Sequence, residues 1–380
     1  MPRLLVFTQD LDFYSEQLLT SLTRQGWRVA VVSDPQHQGV PKWQSQLTAT
    51  EPVVLRGRLD AKAARRYAAE VARYQPDICL CYTSRALSVA LQARRIAGFK
   101  VPIIGTRGAV GGLSCWYLQD WFSYLNPSLD AVVGMSDAIQ KKLAHEATRL
   151  WPGHPGFFTR IYQGYSSLLE TAVKRDHAAR AGAATRIIGT ISNERPIKGM
   201  GLLLDALERL RFEDWKLIWI GNASEASKAR IAASPRLNDR VCLLGYRSDA
   251  RQLIAESDIY VQPTLAPGEG IGNAIAEAMA AEIAVVTSDI GGAPELVRPV
   301  SQELLFKPDS ASSLAATLDR LLADPVACEQ WGRASAGVLA EKFRFEDEVQ
   351  AYLALFEKLS LASVTHNAMS LENAISTRAT

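Results

Sequence analysis

The chain has 380 residues, which is too long for one ordinary domain and suits two of about 150–200 residues each. Hydrophobic residues make up 48% of it and charged residues 22%, a balance typical of a globular protein with a large core. No apolar run reaches the roughly 18–20 residues that a membrane span needs, and the first residues lack a signal-peptide pattern. The five cysteines form no CxxC pair and the five histidines lack metal-ligand spacing, so we expect a cytoplasmic protein without a metal site.

The net charge of +2 is unevenly distributed along the chain. Residues 1–165 contain 19 Lys and Arg against 12 Asp and Glu, a balance of +7, whereas residues 166–380 contain 23 against 28, a balance of −5. A basic first half favours an anionic partner, such as a phosphorylated glycolipid or the inner membrane leaflet, or it is simply an uneven solvated surface. Basic stripes interleaved with aromatic residues are absent from the sequence, which argues against nucleic acid.

Short β-branched or apolar runs alternate with amphipathic helical patterns along the first half. Strands are predicted at residues 4–8, 28–32, 78–82, 102–106 and 131–134. Helices are predicted at residues 13–25, 61–74 and 84–97. Cys79 and Cys81 alternate along one of the strands, so both thiols face one side of the sheet as core residues.

The second half repeats the alternation. Strands are predicted at residues 186–191, 216–220, 241–244, 259–262 and 283–287. Such a pattern indicates parallel sheets with right-handed crossovers, so we predict an α/β protein with two facing Rossmann-like, doubly wound domains and a cleft between them. Pro and Gly cluster near 151–168, which gives a first domain at 1–165 and a second at 166–345. A helix around 346–360 is predicted to rejoin the first domain, and the polar segment 365–380 to be a disordered tail.

A glycine-rich loop that opens a helix is the most informative segment. Residues 262–281 read QPTLAPGEGIGNAIAEAMAA, so glycines follow the predicted strand that ends at Gln262. Glycines at a helix start let backbone N–H groups approach an oxyanion closely. In open α/β sheets ligands bind just beyond the carboxyl ends of the strands, which is where this loop lies.

Two acids flank this helix start. Glu277 lies in a helix otherwise built from Asn, Ala, Ile and Met, and a buried carboxylate requires hydrogen-bond donors. The vicinal hydroxyls of a ribose would supply two donors at once, whereas a structural arginine or a backbone amide would supply them without any ligand. Glu269, at the mouth of the helix, is placed to accept hydrogen bonds from sugar hydroxyls of the same ligand.

Two cations follow the first strand of the second domain, in residues 189–201, GTISNERPIKGMG. Arg195 and Lys198 are predicted to face the cleft from the carboxyl end of that strand. Two fixed cations would neutralise a diphosphate leaving group without a metal. Taken alone, a Lys-Gly pair after a strand is mostly typical of a solvated turn.

Together these segments resemble glycosyltransferase family 4, whose retaining members have two facing Rossmann domains, the GT-B fold. Glu269 and Glu277 reproduce the E-x7-E signature of that family. Other similar segments occur in family order: RPIKG at 195–199, IGN at 220–222, LLGYRSD at 243–249, SDIYVQPT at 257–264 and GGAPELV at 291–297. In the first half, GTRG at 105–108 and SDAI at 136–139 are similar to the acceptor domain of the family.

The resemblance implies a glycosyltransferase that uses a UDP- or GDP-linked sugar and needs neither a metal nor another cofactor. It implies that Lys198 and Arg195 hold the donor diphosphate, Glu269 the donor sugar and Glu277 the ribose. The remaining implied donor contacts are Gly270, Ile271, Gly272, Asn273, Gly245, Tyr246, Asn193 and Gly221.

The sequence departs from the family pattern at three places. Asn193 stands where the family usually has an arginine, and Arg195 is the proposed substitute. Arg107 stands where many members have a histidine, so Arg107 and Ser136 are the acceptor-side candidates, with Arg107 suited to a phosphate or carboxylate. Residues 8–12 replace a Gly-Gly loop. Their Asp10-Leu-Asp12 triplet is interpreted as loop and helix-start residues rather than a metal site, because the fold that uses D-x-D for metal has a single nucleotide-binding domain.

The predicted acceptor is an anionic glycolipid or oligosaccharide of bacterial lipopolysaccharide or surface polysaccharide assembly. This prediction extends to peripheral contact with the inner membrane at its cytoplasmic face. Two alternatives stay open: a non-catalytic protein that binds a nucleotide sugar, and a sugar-nucleotide epimerase of the GT-B fold. The epimerase usually carries catalytic histidines in the cleft, and histidines are sparse here.

Overall fold

Two parallel β-sheets organise the chain in the computed structural model, which describes residues 1–34, 47–150, 157–177 and 183–376. Side chains of residues 49 and 362–376 are outside that description. Within it, thirteen strands form one sheet of seven and one of six, and every pair of neighbouring strands is parallel.

The first sheet has the strand order β3-β2-β1-β4-β5-β6-β7. Its strands are β1 (Arg3–Phe7), β2 (Arg28–Val32), β3 (Thr48–Ala49), β4 (Ile78–Cys81), β5 (Ile103–Arg107), β6 (Ala131–Gly134) and β7 (Phe158–Arg160). The helices of this half are α1 (Phe13–Arg24), α2 (Ala61–Tyr74), α3 (Ser84–Ala97), α4 (Leu118–Trp121) and α5 (Asp137–Leu150). The order reverses direction beside β1 and β4, which opens a crevice at their carboxyl ends.

The second sheet has the order β10-β9-β8-β11-β12-β13. Its strands are β8 (Arg186–Ile191), β9 (Trp215–Ile220), β10 (Val241–Gly245), β11 (Ile259–Gln262), β12 (Ala284–Ser288) and β13 (Leu305–Phe306). The remaining helices are α6 (Leu168–Thr171), α7 (Met200–Leu207), α8 (Glu225–Ala233), α9 (Ala250–Ile254), α10 (Asn273–Ala280), α11 (Ala293–Val297), α12 (Ala311–Leu322), α13 (Pro325–Lys342) and α14 (Phe345–Ser376). Short 3-10 turns lie at Pro196–Lys198 and Gln302–Leu304.

Side-chain caps set where the first helices begin. The carboxylate of Asp12 accepts a hydrogen bond from the N–H of Ser15 at 2.7 Å and starts α1. Asp60 and Thr83 cap α2 and α3 in the same way. Each cap satisfies N–H groups that lack a partner within the helix and contributes about 1 kcal/mol. Asp12 therefore has the helix-start role that the sequence predicts.

The last helix returns to the first domain. Val349, Tyr352 and Phe356 of α14 are buried in the same apolar cluster as strands β1 and β2. Large side chains buried in this way stabilise the packing by roughly 1.5–3 kcal/mol each. The chain therefore passes between the two sheets twice, once before α6 and once before α14.

The two passages pack directly against each other. The N–H of Tyr165 donates to the carbonyl of Phe343 at 2.7 Å. A Cβ on Gly164 would lie 2.3 Å from the Cα of Phe345, so only glycine fits at this crossing. The N–H of Gly164 donates to Glu348 at 2.8 Å.

The predicted α/β architecture is confirmed, and the ten predicted strands begin and end within one residue of those observed. The count of five strands per sheet is wrong, because β3, β7 and β13 are only two or three residues long and carry no readable pattern. Residues 151–156, within the predicted boundary, and residues 377–380, within the predicted tail, lie outside the described residues. The tail prediction differs from the structure over residues 365–376, where α14 continues as helix from its docked first half. Within the described part, no helix is long and apolar enough to cross a membrane.

Candidate functional site

The carboxyl ends of the two sheets face each other across a cleft of about 550 Å³. Thr8, Asp10 and Asp12 line it from the first domain, and Lys198 with residues 269–274 from the second. A larger recess of about 670 Å³ lies beside α1 and the start of α14, but none of the predicted site residues lines it. The cleft is therefore the candidate site, because the sheet topology and the predicted residues both point to it.

Lys198 and Glu269 form an ion pair in the wall of the cleft. The ammonium of Lys198 lies 2.8 Å and 2.9 Å from the two carboxylate oxygens of Glu269. Thr264 donates to the same carboxylate at 3.2 Å. Gly199, next to Lys198, has a φ of +66°, and a Cβ there would lie 1.8 Å from the carbonyl oxygen of Pro263. Glycine therefore permits the turn that presents Lys198.

The glycine loop meets the first domain at the start of α10. Gly270, Ile271, Gly272 and Asn273 all line the cleft. A Cβ on Gly270 would lie 2.0 Å from the carbonyl oxygen of Gly108, so the backbones of the two domains touch here. Gly272 has a φ of +96°, which lets the chain turn into the helix. The backbone N–H groups at this helix start form an electropositive edge of the cleft.

Glu277 lies outside the cleft, in a small recess lined by Arg251, α6 residues and the end of α10. Its Oε1 atom lies 2.9 Å from Arg251 Nη2 in an ion pair, and it accepts hydrogen bonds from Arg251 Nε at 3.1 Å and from the hydroxyl of Tyr14 at 3.2 Å. The side chain of Glu277 is 15% exposed, so it is partly rather than fully buried, among neighbours in the helix that are fully buried. The sequence left three kinds of donor open for this carboxylate: ribose hydroxyls, a structural arginine or a backbone amide. The structure shows the arginine.

Tyr14 reaches Glu277 from the first domain. Burial, and then the charge of Glu277, raises the pKa of the Tyr14 hydroxyl above its ordinary value, which keeps it a neutral donor. The guanidinium of Arg251 lies 4.9 Å from the ring centre of Phe13, the first residue of α1. The first turn of α1 thus covers the Arg251–Glu277 pair.

Arg195 does not belong to the cleft wall. It is exposed and precedes the 3-10 turn that carries Lys198. Arg251, which the sequence analysis missed, is the arginine that contacts an acid of the E-x7-E pair. The signal was weak because Arg251 lies on a short helix between two predicted strands and in no recognisable motif.

The implied donor contacts Asn193, Gly221, Gly245 and Tyr246 lie together at the carboxyl edge of β8, β9 and β10, and none of them lines the cleft. The side chain of Asn193 accepts from the N–H of Asn222 at 2.9 Å and so fastens the loop after β9. Gly221 donates its N–H to the carbonyl of Gly245 at 2.7 Å. Tyr246 is 76% exposed.

The acceptor-side candidates are turned away from the cleft. Arg107 is 9% exposed, and its guanidinium donates to the carbonyl of Gly111 at 2.5 Å and lies over the ring of Tyr124. Burial lowers the pKa of this guanidinium. Ser136 is fully buried, and its hydroxyl accepts from the N–H of Ile139 at 3.3 Å near the start of α5. Neither residue lines the cleft: Arg107 is engaged within the first domain, and the hydroxyl of Ser136 packs close to Gly292 of the second domain.

A further interdomain contact joins α11 to α5. The carboxylate of Glu295 accepts from the N–H groups of Asp137 and Ala138, both at 2.9 Å, and from the hydroxyl of Tyr162 at 2.7 Å. A carboxylate at a helix start satisfies free N–H groups and interacts favourably with the helix dipole. The GGAPELV segment of the second domain thus caps a helix of the first.

Across the described ranges, no group of three or more His, Cys, Asp or Glu side chains is arranged to hold a metal ion. Asp10 and Asp12 line the first-domain wall of the cleft without a third ligand of that kind. Both are exposed, and their backbone contacts follow the loop and helix-start interpretation.

The model of the family described as Glycosyl transferases group 1 matches residues 185–324. The chain is 30% identical over 252 residues to the lipopolysaccharide core biosynthesis mannosyltransferase LpsB of Rhizobium meliloti. This match covers 63% of this chain and 68% of that protein. It is 33% identical over 153 residues to a phosphatidyl-myo-inositol mannosyltransferase of Mycolicibacterium smegmatis, covering 39% of this chain and 38% of that protein. The chain thus spans less than half the length of several curated relatives that it matches.

The fold matches solved structures over nearly the whole chain. The crystal structure of Anabaena Alr3699/HepE in complex with UDP has a TM-score of 0.72 and 19% sequence identity, and the match covers 94% of this chain and all of that one. At this identity the likeness establishes the fold, which is the GT-B arrangement of two facing Rossmann domains.

Proposed function

This chain belongs to the group 1 glycosyltransferases, and from that premise we propose that it transfers a sugar from a UDP- or GDP-linked donor to a hydroxyl of a glycan or glycolipid, with retention of configuration. The observation that carries the proposal is the Lys198–Glu269 pair in the cleft wall, at the glycine-lined start of α10. One cation, one acid and a set of free backbone N–H groups there match the parts of a nucleotide sugar.

Lys198 is the residue we assign to the donor diphosphate. Departure of a nucleoside diphosphate develops negative charge, and a fixed ammonium and a helix N-terminus stabilise that charge. When Lys198 pairs with the diphosphate, the carboxylate of Glu269 is released to accept hydrogen bonds from the donor sugar. Glu277 is assigned to the ribose hydroxyls.

The acceptor is assigned to the first-domain side of the cleft. Water there would hydrolyse the donor, and contacts such as Gly270 with Gly108 bring the two domains close enough to exclude it. The leaving phosphate takes the proton of the attacking hydroxyl, so no separate general base is assigned. Neither a metal nor another cofactor takes part in this proposal.

Relatives support a role in lipopolysaccharide or surface polysaccharide biosynthesis. One relative is a lipopolysaccharide core mannosyltransferase, and another acts on phosphatidyl-myo-inositol by its name. Asp10 and Asp12 line the first-domain wall of the cleft, opposite Lys198, and would repel an anionic group of an acceptor there, so the hydroxyl-bearing sugar of the acceptor enters the cleft and its anionic groups stay outside.

An aromatic loop on the first domain supports peripheral contact of this acceptor domain with a membrane. Trp116, Tyr117, Leu118 and Trp121 are 80%, 52%, 65% and 39% exposed. Aromatic side chains of this kind favour the boundary between lipid headgroups and acyl chains.

The loop is held in place by buried acids beside a basic helix face. Asp120, 1% exposed, accepts from the N–H of Ser114 at 3.1 Å, and Glu146 accepts from the N–H of Cys115 at 2.8 Å. Burial opposes ionisation of Glu146, but hydrogen bonds from Lys142 and Cys115 prevail and lower its pKa to about 2. Exposed basic residues of the same helix would then meet anionic lipids. They are Lys141, His145 and Arg149.

Flotation with phosphatidylglycerol vesicles tests this contact. The wild-type chain should float with them, and the double variant Trp116→Ser, Trp121→Ser should not. Equal flotation of both would remove the aromatic loop from the proposal.

Two alternatives are distinguished by the fate of the donor. A non-catalytic binding protein would bind a nucleotide sugar and leave it intact. An epimerase would convert the sugar without releasing free nucleotide. A glycosyltransferase releases nucleoside diphosphate slowly when water takes the sugar, and faster when an acceptor takes it.

Release of nucleoside diphosphate from UDP- and GDP-sugars is therefore the test. We expect Lys198→Ala to lower turnover by about 100- to 1000-fold, the range for losing one electrostatic contact to the departing group. Lys216→Ala is the matched control. Lys216 is exposed near the amino end of β9, whereas the cleft lies at the carboxyl ends of the strands. Turnover of Lys198→Ala within threefold of wild type would exclude the assigned role.

A further inference from the structure

Tyr14 contacts both a residue that lines the cleft and Glu277, which lines the recess. Its neighbours Asp12 and Ser15 line the cleft. Its ring packs edge-on against Tyr165, another cleft residue, with ring centres 5.5 Å apart. Its hydroxyl lies on the other side, bonded to Glu277. With 6% of its surface exposed, the Tyr14 side chain is buried between Tyr165, which lines the cleft, and Glu277, which lines the recess.

The same hydroxyl competes for the atom that a ribose would need. Three contacts converge on Oε1 of Glu277: an ion-pair contact from Arg251 Nη2 and hydrogen bonds from Arg251 Nε and Tyr14. A vicinal diol binds a carboxylate best through both oxygens, so Oε1 has to give up a donor. The bond from Tyr14 is the longest of the three at 3.2 Å and the only one from a neutral group. Bonds from a charged donor are stronger, so Tyr14 is the donor that leaves.

We infer that Tyr14 is a first-domain residue of the nucleotide site, and that a bound nucleoside diphosphate displaces its hydroxyl from Glu277 to join the recess to the cleft. This inference rests on the proposed function, because it takes the ribose to be the ligand of Glu277. Tyr14 touches no reacting atom and acts by positioning Glu277.

Movement of Tyr14 also connects nucleotide binding to the contact between the domains. Tyr14 and Phe13 begin α1, and both lie against the Arg251–Glu277 pair of the second domain. A nucleotide whose ribose binds Glu277 therefore weakens the contact between the first turn of α1 and α10. A purely structural role of the hydroxyl would instead make its removal costly for stability and neutral for nucleotide affinity.

Calorimetric titration of UDP, GDP and ADP into wild type and Tyr14→Phe tests the inference. Phenylalanine keeps the ring and its packing, so the fold should survive. We expect the preferred nucleotide to bind about three- to tenfold more tightly to the variant, since one hydrogen bond fewer has to be broken. The donor KM should fall with it, while kcat stays within about twofold.

A second substitution localises the effect. In a Glu277→Gln background, Tyr14→Phe should change nucleotide affinity by less than about twofold, because the competition for the carboxylate is gone. Tyr74→Phe is the matched control. The hydroxyl of Tyr74 donates to the carbonyl of Arg28 at 2.8 Å, at the start of β2 and away from the cleft.

Each outcome decides a different question. Equal or weaker binding to Tyr14→Phe, with clear binding to wild type, would overturn the inference and leave the proposed function standing. The same tightening in the Glu277→Gln background would also overturn it, because the effect would not pass through Glu277. Failure of all three nucleotides to bind any variant would overturn the proposed function itself.

Discussion

The two acids of the E-x7-E pair, Glu269 in the loop before α10 and Glu277 within α10, differ in what surrounds them. Glu269 meets a lysine in the wall of the open cleft, and both of its oxygens contact that lysine. Glu277 meets an arginine in a recess, and a tyrosine from the opposite domain shares the bond to its Oε1. The charge pairing is alike, but access differs.

This difference assigns different tasks to the two pairs. A diphosphate can reach the Lys198–Glu269 pair directly. If Lys198 exchanges Glu269 for the diphosphate, its charge stabilises the departing group during the reaction. Under the proposed function, a ribose that binds Glu277 has to move a side chain of the first domain, so we expect that pair to govern how tightly the nucleotide is held. Substitutions at the two acids should therefore separate turnover from affinity.

The largest effect should come from Glu269→Gln. Glutamine keeps the size of the side chain but loses the charge that orients Lys198 and accepts hydrogen bonds from the donor sugar. We expect kcat to fall by about 100-fold or more, with the nucleotide Kd within threefold of wild type, in steady-state assays and calorimetry. Glu225→Gln is the control, because Glu225 is 89% exposed on α8. Parallel losses in kcat and affinity would break the contrast between the two acids.

Glu277→Gln should show the opposite pattern. An amide offers one acceptor oxygen instead of two, so a ribose diol loses a hydrogen bond to a charged group. That loss weakens the nucleotide Kd by about tenfold, while kcat at saturating donor changes by less than threefold. Calorimetry with UDP and GDP measures the first quantity and initial rates the second. Unchanged nucleotide affinity would mean that Arg251 is the only partner Glu277 needs.

The second-domain half of the site was largely predictable from the sequence. Lys198 and Glu269 follow different strands, and their common position at the carboxyl edge of one sheet follows from the alternation of strands and helices. The structure brings them into contact 71 residues apart in the chain. Strand ends, glycines and charged residues can each be located from the local sequence. The topology of the parallel sheet then brings these positions to one edge.

The contacts between domains were not predictable in the same way. Tyr14 and Glu277 are 263 residues apart, and their bond depends on how the two sheets are set against each other. Arg107 lies at a strand end as predicted, but its side chain turns toward Gly111 and Tyr124. Periodicity fixes the strand on which a residue lies, whereas the direction of a long side chain depends on packing around it.

A third acid, Glu348, extends the comparison. Among the described residues, the partner of its carboxylate is a backbone N–H group rather than a cation. It accepts from the N–H of Gly164 where the two interdomain passages cross. Burial raises the pKa of Glu348 to about 8, opposed by that hydrogen bond and reinforced by the charge of Asp12. The folded chain therefore holds a proton between pH 4.5 and about 8 that the unfolded chain releases.

Stability should decline as the pH rises through that window, because a raised acid pKa favours the folded state only while the group is protonated. Glu348→Gln keeps the neutral form at every pH. We expect its melting temperature to match wild type near pH 5 and to exceed it by a few degrees near pH 9, the scale of about 1–2 kcal/mol in a chain of this size. Thermal melts of both proteins across this range measure the difference. A constant difference at all pH values would show that Glu348 is already ionised in the fold, as an acid beside a cation would be.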